Sequence, residues 1–298
     1  LAASAGERTL VLAIVTGGGS AMLAAPAEGV ELADLRAVTE ALLAAGVDID
    51  GVNAVRKHVS AIKGGQLARA AAPATVAGLL VSDVVGDDHG VIASGPTAPD
   101  ETTFADAIDV LDGYGVDAPA AVRERLEAGA RGEVSETPRA DDVVFEHVDN
   151  RVLVNGWTAI EAARDVAESA GYSPCVLSSR VRGEAREAGL AHLAVAEEVA
   201  ATGNPVQTPA ALLSGGETTV TVRGNGVGGP NQEFALRAAM ELPPGAVLAC
   251  VDTDGEDGST GAAGALVDSE TVDDLAAARE ALADNDAYGY LDSRGALL

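Results

Sequence analysis

The stretch that decides the fold reads TLVLAIVTGGGSAM and spans residues 9–22. Residues 9–15 form an apolar run of strand length, and the glycines at 17–19 predict a tight turn. Ser20 then opens a short helix-prone piece. A strand that passes through a glycine turn into a helix is the repeating unit of α/β folds. The turn is either an anion cradle at a helix N-terminus or a tight corner, and this stretch alone leaves both interpretations open.

The same alternation of short apolar runs and Ala-rich helical patterns continues along the chain. It predicts an α/β protein with mainly parallel or mixed sheets flanked by helices. The predicted strands are 9–15, 76–82, 151–154, 174–177, 210–213, 217–222 and 246–251. The predicted helices are 31–45, 52–71 with a break near 63–65, 102–112, 119–128, 157–170, 184–202, 230–241 and 270–283.

The chain has 298 residues, a length that favours two domains. Its least patterned stretch, residues 129–149, is polar and carries Gly and Pro, which is typical of a connection. We therefore expect one domain over residues 1–135 and a second over residues 136–298.

The composition excludes several kinds of partner. With 46 acidic and 19 basic residues the net charge is −27, so neither nucleic acid nor an anionic membrane surface is expected. The acidic residues are spread along the chain, which suggests a halophile-like protein kept soluble in a salty cytoplasm. No apolar run reaches the roughly 18–20 residues of a membrane span. Cys175 and Cys250 are expected as small buried hydrophobes in strands.

A cluster of basic residues stands out in this acidic chain, in the segment NAVRKHVSAIKGG at residues 53–65. Arg56, Ser60 and Lys63 recur at helical spacing and would share one helix face. They predict either an anion-binding face or a solvated basic face that balances the acidic surface. Asn53 would orient a substrate hydroxyl or cap the helix.

Carboxylates and hydroxyls follow the predicted strand 76–82. Asp83 comes where the strand ends, and ligands of open α/β sheets bind at that edge. Asp83 and Asp87 would hold Mg²⁺ directly or through water, or the aspartates would cap backbone amides in a turn. Further on, Ser94 and Gly95 open a rigid turn, SGPT, that offers two hydroxyls.

Two glycine-rich segments mark the second half of the chain. The sequence SGGE at 214–217 is expected as a corner between two strands, without an immediate helix. Residues 224–229 lead into a helix that Pro230 opens, and Asn231 and Glu233 place polar groups at its N-terminus.

An acidic loop follows the predicted strand 246–251. It carries Asp252, Asp254 and Asp257. Carboxylates at the carboxyl end of a strand suit a contact with Mg²⁺ or with a ligand hydroxyl.

Five of these segments occur in a specific order: TGGGSAM, NAVRKHVSAIKGGQLA, VSDVVGDDHGVIASGPTAPD, SGGETTVTVRGNGVGGPNQEFAL and DTDGEDGSTGAAGALVD. Over nearly the whole chain they resemble the glycerate 2-kinase family, whose C-terminal part is the MOFRL domain. The resemblance implies two α/β domains around an active-site cleft, a Rossmann-like kinase domain over 1–135 and a MOFRL-type domain over 136–298. It also implies that the γ-phosphoryl group of ATP is transferred to the 2-hydroxyl of D-glycerate with Mg²⁺.

The resemblance suggests a role for each candidate residue. Arg56, Lys63 and Asp83 would be catalytic, the two cations neutralising the glycerate carboxylate or the transferring phosphoryl group. The Mg²⁺ ligands would be Asp83, Asp87 and Asp254. Phosphate or substrate contacts would come from Gly17, Gly18, Gly19, Ser20, Asn53, Ser94 and Gly95, and from Asn231 and Glu233 in the second domain.

The chain also departs from the family pattern. Members of the family carry a further N-terminal region with a Gly-Lys-Ala segment and end in a TGPTGTNVND segment, and neither is present here. We therefore expect a chain truncated at both ends. Pro230 stands where some members have an arginine, which puts that arginine's role in doubt.

Two alternatives to the kinase remain open at this point. One is a hydroxypyruvate reductase-type oxidoreductase, although the spaced dinucleotide-binding glycines are missing. The other is a catalytically impaired homologue that only binds ligands. In each case we expect a cytoplasmic protein that binds small molecules, with a homodimer left open.

Overall fold

The chain divides into two compact units, Leu1–Asn155 and Gly156–Leu298, and the computed structural model describes residues 2–298. The division falls after residue 155 instead of after residue 135. The reason is that residues 148–154 form a strand of the first unit's sheet, so the polar stretch before them is an internal connection.

The first unit contains a three-stranded parallel sheet in the order β1-β2-β3. Its strands are β1 (Leu10–Val15), β2 (Thr75–Val81) and β3 (Val148–Val154). Val15 pairs with Leu80, so β1 and β2 end side by side at one edge of the sheet. The glycine turn and the loop that begins with Ser82 therefore leave the sheet next to each other.

In the described part of this unit the α-helices are α1 (Gly19–Met22), α2 (Leu32–Ala44), α3 (Ile49–His58), α4 (Gln66–Ala71), α5 (Phe104–Gly113) and α6 (Ala120–Ala130). The predicted helix over 52–71 is thus two helices with a turn between them. Ser60 Oγ accepts hydrogen bonds from the amides of Ile62 and Lys63, and this local alternative to helical bonding ends α3.

Two apolar cores hold the first unit together. A helical core includes Val38, Leu42, Val55, Phe104, Leu111 and Leu126. The sheet packs through Ala13, Val15, Val76, Leu80 and Ile92. These cores are built mainly from aliphatic residues, as the 3% aromatic content requires.

The second unit contains a parallel pair, β4 (Ser173–Glu184) with β5 (Ala210–Thr219), and an antiparallel pair, β6 (Val247–Val251) with β7 (Gly264–Asp268). Its helices are α7 (Gly156–Ser169), α8 (Ala185–Thr202), α9 (Pro230–Ala239), α10 (Leu275–Ala283) and α11 (Ala287–Asp292). A core that includes Phe234, Leu236, Val267, Leu282 and Leu291 joins most of them.

The expected corner at residues 214–217 is wrong. These residues lie inside β5, which runs on beside β4, and Gly216 is paired with Val181. A Cβ at Gly216 would lie 2.1 Å from the Val181 carbonyl oxygen, so the glycine permits close approach of two strands and makes no hairpin. Cys250 is buried in β6 as expected, whereas Cys175 in β4 is only half-buried.

Across residues 2–298, none of the helices combines the length and the apolar character needed to cross a bilayer.

Candidate functional site

The glycine turn closes over the end of β1. Gly18 has φ = +72°, a left-handed conformation that glycine adopts without strain, and it begins the short helix α1. At Gly17 a Cβ would lie 2.3 Å from Asp83 Oδ2, so this exposed carboxylate lies directly against the turn. Within the described chain the amides of Gly17 and Gly18 donate to no acceptor. The turn therefore presents two free N–H groups beside Asp83.

Two cations converge on Ser20, the residue that follows the glycines. Lys63 Nζ donates to the Ser20 carbonyl oxygen over 2.7 Å, and Arg56 Nη2 donates to the same oxygen over 2.8 Å. Arg56 comes from the last turn of α3 and Lys63 from the turn after it. The structure thus brings together three of the predicted residues.

This pair of cations lacks a balancing negative charge. Burial, and to a lesser degree the charge of Arg56, lowers the pKa of Lys63 from 10.5 to about 8. Burial also lowers the pKa of Arg56. Neither side chain forms an ion pair with any carboxylate in residues 2–298. Buried charges are normally paired, so this site is complementary to an anionic ligand.

A chain of polar side chains supports Ser20 from behind. Ser94, which is fully buried, donates from Oγ to Asn53 Oδ1 over 2.9 Å, and its Oγ lies 2.7 Å from Ser20 Oγ. Asn53 and Ser94 therefore belong to the site, but they reach it through Ser20. Gly95 is different, because its amide bonds to Ile92 and its carbonyl accepts from Gly65. The expected ligand contact at Gly95 is thus occupied by the protein's own backbone.

The other basic residues of α3 have a structural role. Lys57 Nζ lies 3.2 Å from Asp100 Oδ1, and His58 Nε2 lies 3.2 Å from Glu136 Oε2. Asp100 is fully buried and also accepts hydrogen bonds from Thr102 and from Thr137. Burial raises the pKa of Asp100, but Lys57 and the Thr102 hydrogen bonds together lower it further than burial raises it.

In the acidic loop after β2, Asp83 faces the glycine turn, whereas Asp87 and Asp88 form hydrogen bonds within the fold. Asp87 accepts a 2.6 Å hydrogen bond from Asn155, and Asp88 caps the amide of Gly90. Among residues 2–298, no three carboxylate, His or Cys side chains are gathered in a metal-binding group. Asp83 and Asp87 lie in the first unit and Asp254 lies in the second, so the expected Mg²⁺ set stays a prediction. Mg²⁺ in phosphoryl-transfer sites needs only one or two carboxylates besides the phosphates, and the exposed Asp83 fits that requirement.

The N-terminus of α9, in the second unit, holds a carboxylate of the protein itself. The fully buried Asp257 accepts from the amides of Asn231 and Gln232 over 3.0 and 2.8 Å, and from Asn231 Nδ2. A helix N-terminus attracts anions, and here Asp257 occupies that position. Asn231, expected as a ligand contact, is thus engaged within the fold.

Glu233 is also engaged within the fold. Its fully buried side chain accepts from Arg186 Nη2 over 2.6 Å and from Asn285 Nδ2 over 2.7 Å. Both carboxylate oxygens are taken by partners in the same unit, and the substrate contact expected of Glu233 stays a prediction.

The acidic loop after β6 remains open to solvent around Asp254, which accepts a hydrogen bond from the Glu256 amide. Burial and the neighbouring charges of Asp254 and Asp257 raise the pKa of Asp252. Sequence reasoning missed Asp100 as a buried partner of Lys57 and Asp257 as the cap of α9. Neither lies near its partner in sequence, and no local pattern marks such pairs.

Two protein families match parts of this chain. Residues 1–127 match a family described as a domain of unknown function (DUF4147), and residues 210–298 match the MOFRL family. The D-glycerate 2-kinase of Thermotoga maritima is 41% identical over 98% of this chain and 69% of its own length. A protein of Agrobacterium vitis with a provisional hydroxypyruvate reductase name is 45% identical over 90% of this chain and 60% of its own length.

A solved structure gives the same result at the level of the fold. The crystal structure of the Thermotoga maritima glycerate kinase matches with a TM-score of 0.85 and 39% identity, over 99% of this chain and 70% of that one. The α/β architecture with parallel strands flanked by helices is therefore confirmed. Identity of this level over this share of the relative's length establishes the family, and the chain belongs to the glycerate 2-kinase family.

Proposed function

We propose that this protein transfers the γ-phosphoryl group of ATP to the 2-hydroxyl of D-glycerate and so forms 2-phosphoglycerate. The observation that supports this best is the pair of cations on Ser20, the buried Lys63 and the half-buried Arg56, which have no carboxylate partner among the described residues. A kinase of a hydroxy acid needs such a site, because its substrates are anions and its transition state spreads negative charge over oxygens.

The residues of the first unit would act mainly by positioning. Lys63 and Arg56 neutralise the charge of the bound anion, and the free amides of Gly17 and Gly18 add two further donors. Asp83 lies against Gly17, where a carboxylate can orient a hydroxyl or hold a metal ion. Phosphoryl transfer requires little covalent chemistry from the protein, so this arrangement meets its main demands.

A divalent cation is part of this proposal. Asp83 and Asp87, which follows it in the same loop, would hold Mg²⁺ together with the nucleotide phosphates. When bound, the ion supplies charge neutralisation on the phosphate oxygens. The described residues form no closed metal cage, which is the usual situation for Mg²⁺ that arrives with a nucleotide.

The test is the identity of the product. The protein is incubated with ATP, Mg²⁺ and D-glycerate, and the phosphorylated product is resolved by ³¹P NMR. We expect 2-phosphoglycerate, dependent on all three components. Formation of 3-phosphoglycerate alone, or of no phosphorylated product, would contradict the proposal.

The reductase alternative is tested in the same preparation. It is favoured by the provisional hydroxypyruvate reductase name of the Agrobacterium vitis relative. The glycine turn has consecutive glycines at 17–19 instead of the spaced dinucleotide fingerprint. We expect no oxidation of NADH or NADPH with hydroxypyruvate. Oxidation at a rate comparable to phosphorylation would favour the reductase.

The setting of the reaction follows from its substrates and from the charge. ATP and D-glycerate are metabolites of the cytoplasm, where we place the protein. The net charge of −27 favours a medium of high ionic strength, because salt screens the repulsion between carboxylates. A homodimer stays open as the oligomeric state, and sedimentation at high and low salt tests both points.

A further inference from the structure

The hydroxyl of Ser20 has a fixed hydrogen-bond polarity. A serine hydroxyl carries one proton, and Ser94 directs its proton to Asn53 Oδ1 over 2.9 Å. In the 2.7 Å contact between Ser94 Oγ and Ser20 Oγ, the donor must then be Ser20. Ser20 therefore gives its proton to the protein; one of its two oxygen lone pairs accepts from Lys63 Nζ over 3.5 Å, and the other remains for a ligand.

The turn that carries Ser94 is held in an unusual conformation. Ala93, Ser94 and Gly95 have φ values of +51°, +61° and +63°, and a left-handed non-glycine residue is costly. The turn is secured by the Gly64 amide, which donates to the Ser94 carbonyl over 2.9 Å. Backbone strain that the surrounding structure maintains is typical of sites where a side chain must be placed accurately. Here the side chain so placed is the Ser94 hydroxyl.

The neighbours of Ser20 determine which ligand groups its hydroxyl oxygen can bind. Lys63 Nζ lies 3.5 Å from Ser20 Oγ, and both Lys63 and Arg56 bond to the Ser20 carbonyl. A hydrogen-bond acceptor beside two cations is complementary to a ligand that carries an anion and a hydroxyl on adjacent atoms. The carboxylate and the 2-hydroxyl of a 2-hydroxy acid have this relation. A phosphate oxygen would need a donor, which Ser20 no longer offers.

We propose that Ser20 Oγ accepts a hydrogen bond from the 2-hydroxyl of the hydroxy acid substrate, and that Ser94 and Asn53 are positioning residues that impose this polarity on Ser20. Ser20 is then a contact of the phosphoryl acceptor, while the free amides of Gly17 and Gly18 remain donors for an anionic oxygen. This inference rests on the proposed kinase function, because it assigns one of the two substrates to the site. It also explains why a fully buried hydroxyl, Ser94, lies behind the turn.

The experiment compares two ligands that differ at one group. D-Glycerate and 3-hydroxypropionate, which lacks the 2-hydroxyl, are titrated calorimetrically into the wild type, S20A, S94A and S20A/S94A in the absence of ATP. We expect S20A to weaken D-glycerate about 3- to 10-fold, the value of one hydrogen bond, and to leave 3-hydroxypropionate unchanged. Because Ser94 acts through Ser20, the double variant should bind D-glycerate no more weakly than S20A.

Control measurements separate positioning from damage to the fold. T97V removes another buried hydroxyl, which bonds to Asn150, and should leave both affinities unchanged. The KM for ATP should also stay constant in S20A. Equal weakening of both ligands, a raised KM for ATP, or additive losses in the double variant would overturn the inference. If S94A fails to fold, the comparison of the two ligands in S20A alone decides the matter.

Different measurements show whether the proposed function is wrong or only the role of Ser20. If the wild type forms no 2-phosphoglycerate, the proposed function fails, whereas the calorimetric ratio for the two ligands is still measured. If the product forms but S20A binds D-glycerate as tightly as the wild type, only the role of Ser20 is wrong.

Discussion

Replacement of Lys63 by methionine should make the unliganded protein more stable and remove its function. Lys63 is only 3% exposed, and its pKa falls from 10.5 to about 8. A shift of about 2.5 units corresponds to about 3 kcal/mol against the charged form near pH 7. Methionine fills similar space without this cost but loses the bond to the Ser20 carbonyl, worth about 1.5 kcal/mol. We expect a net gain of about 1–2 kcal/mol in the free energy of unfolding.

The stability of the wild type relative to K63M should rise with pH. The folded pKa of Lys63 lies below the unfolded pKa, so the penalty is complete below pH 8 and fades between pH 8 and 10.5. Over that interval the wild type should gain up to about 3 kcal/mol in unfolding free energy relative to K63M, because the unfolded chain then binds more protons.

The assay is urea unfolding of both proteins from pH 7 to 10.5, with R36Q as the matched control. Arg36 is exposed and pairs with Glu40, so its removal changes the net charge equally but should leave the stability almost unchanged. A K63M variant that is less stable than the wild type at pH 7, or a difference between them that does not change with pH, would refute the reasoning about the unpaired ammonium.

Three further predictions follow from the described contacts. G17A places a Cβ 2.3 Å from Asp83 Oδ2, so it should displace this carboxylate and lower kcat about 100-fold. The double variant G17A/D83A should then show no further loss of kcat beyond that of D83A. Additive losses in the double variant would contradict this prediction. E233Q should destabilise the second unit by about 3 kcal/mol in urea unfolding while the KM for D-glycerate stays unchanged, because Arg186 loses its buried partner; a raised KM with normal stability would restore Glu233 as a substrate contact. D100N should cost about 3 kcal/mol at pH 7 and less at pH 3, because the carboxylate of Asp100, whose pKa is lowered, stabilises the fold only while it is ionised; equal losses at both pH values would argue against this pairing.

The parts of the fold that follow local patterns are predictable from the sequence. Strand β1, the glycine turn and the short helix after it appear where the apolar run and the three glycines predict them. The sequence predicts that Arg56 and Lys63 lie close together, but it predicts them on one face of a single helix. They come from a helix end and the turn after it, because Ser60 interrupts the predicted helix by capping two amides.

The contacts that the sequence did not reveal join distant segments. Glu233 and Asn231 look like ligand contacts in the sequence, but Arg186 and Asp257 are their partners, and these lie 47 and 26 residues away. Gly215 and Gly216 resemble a corner, but in the fold they lie inside β5, and Gly216 lets β5 pass close to β4. A pair of glycines indicates that the backbone can turn or can approach another segment closely. The local sequence does not show which of the two occurs, or which segment is approached.

The most direct test of the account measures the rate of 2-phosphoglycerate formation from ATP and D-glycerate in the wild type, K63M and R36Q at pH 7. If the anionic substrate lies on Lys63, K63M should lose at least about 100-fold in kcat/KM while remaining folded, and R36Q should match the wild type. A K63M variant that makes 2-phosphoglycerate at the rate of the wild type would show that the reaction takes place elsewhere.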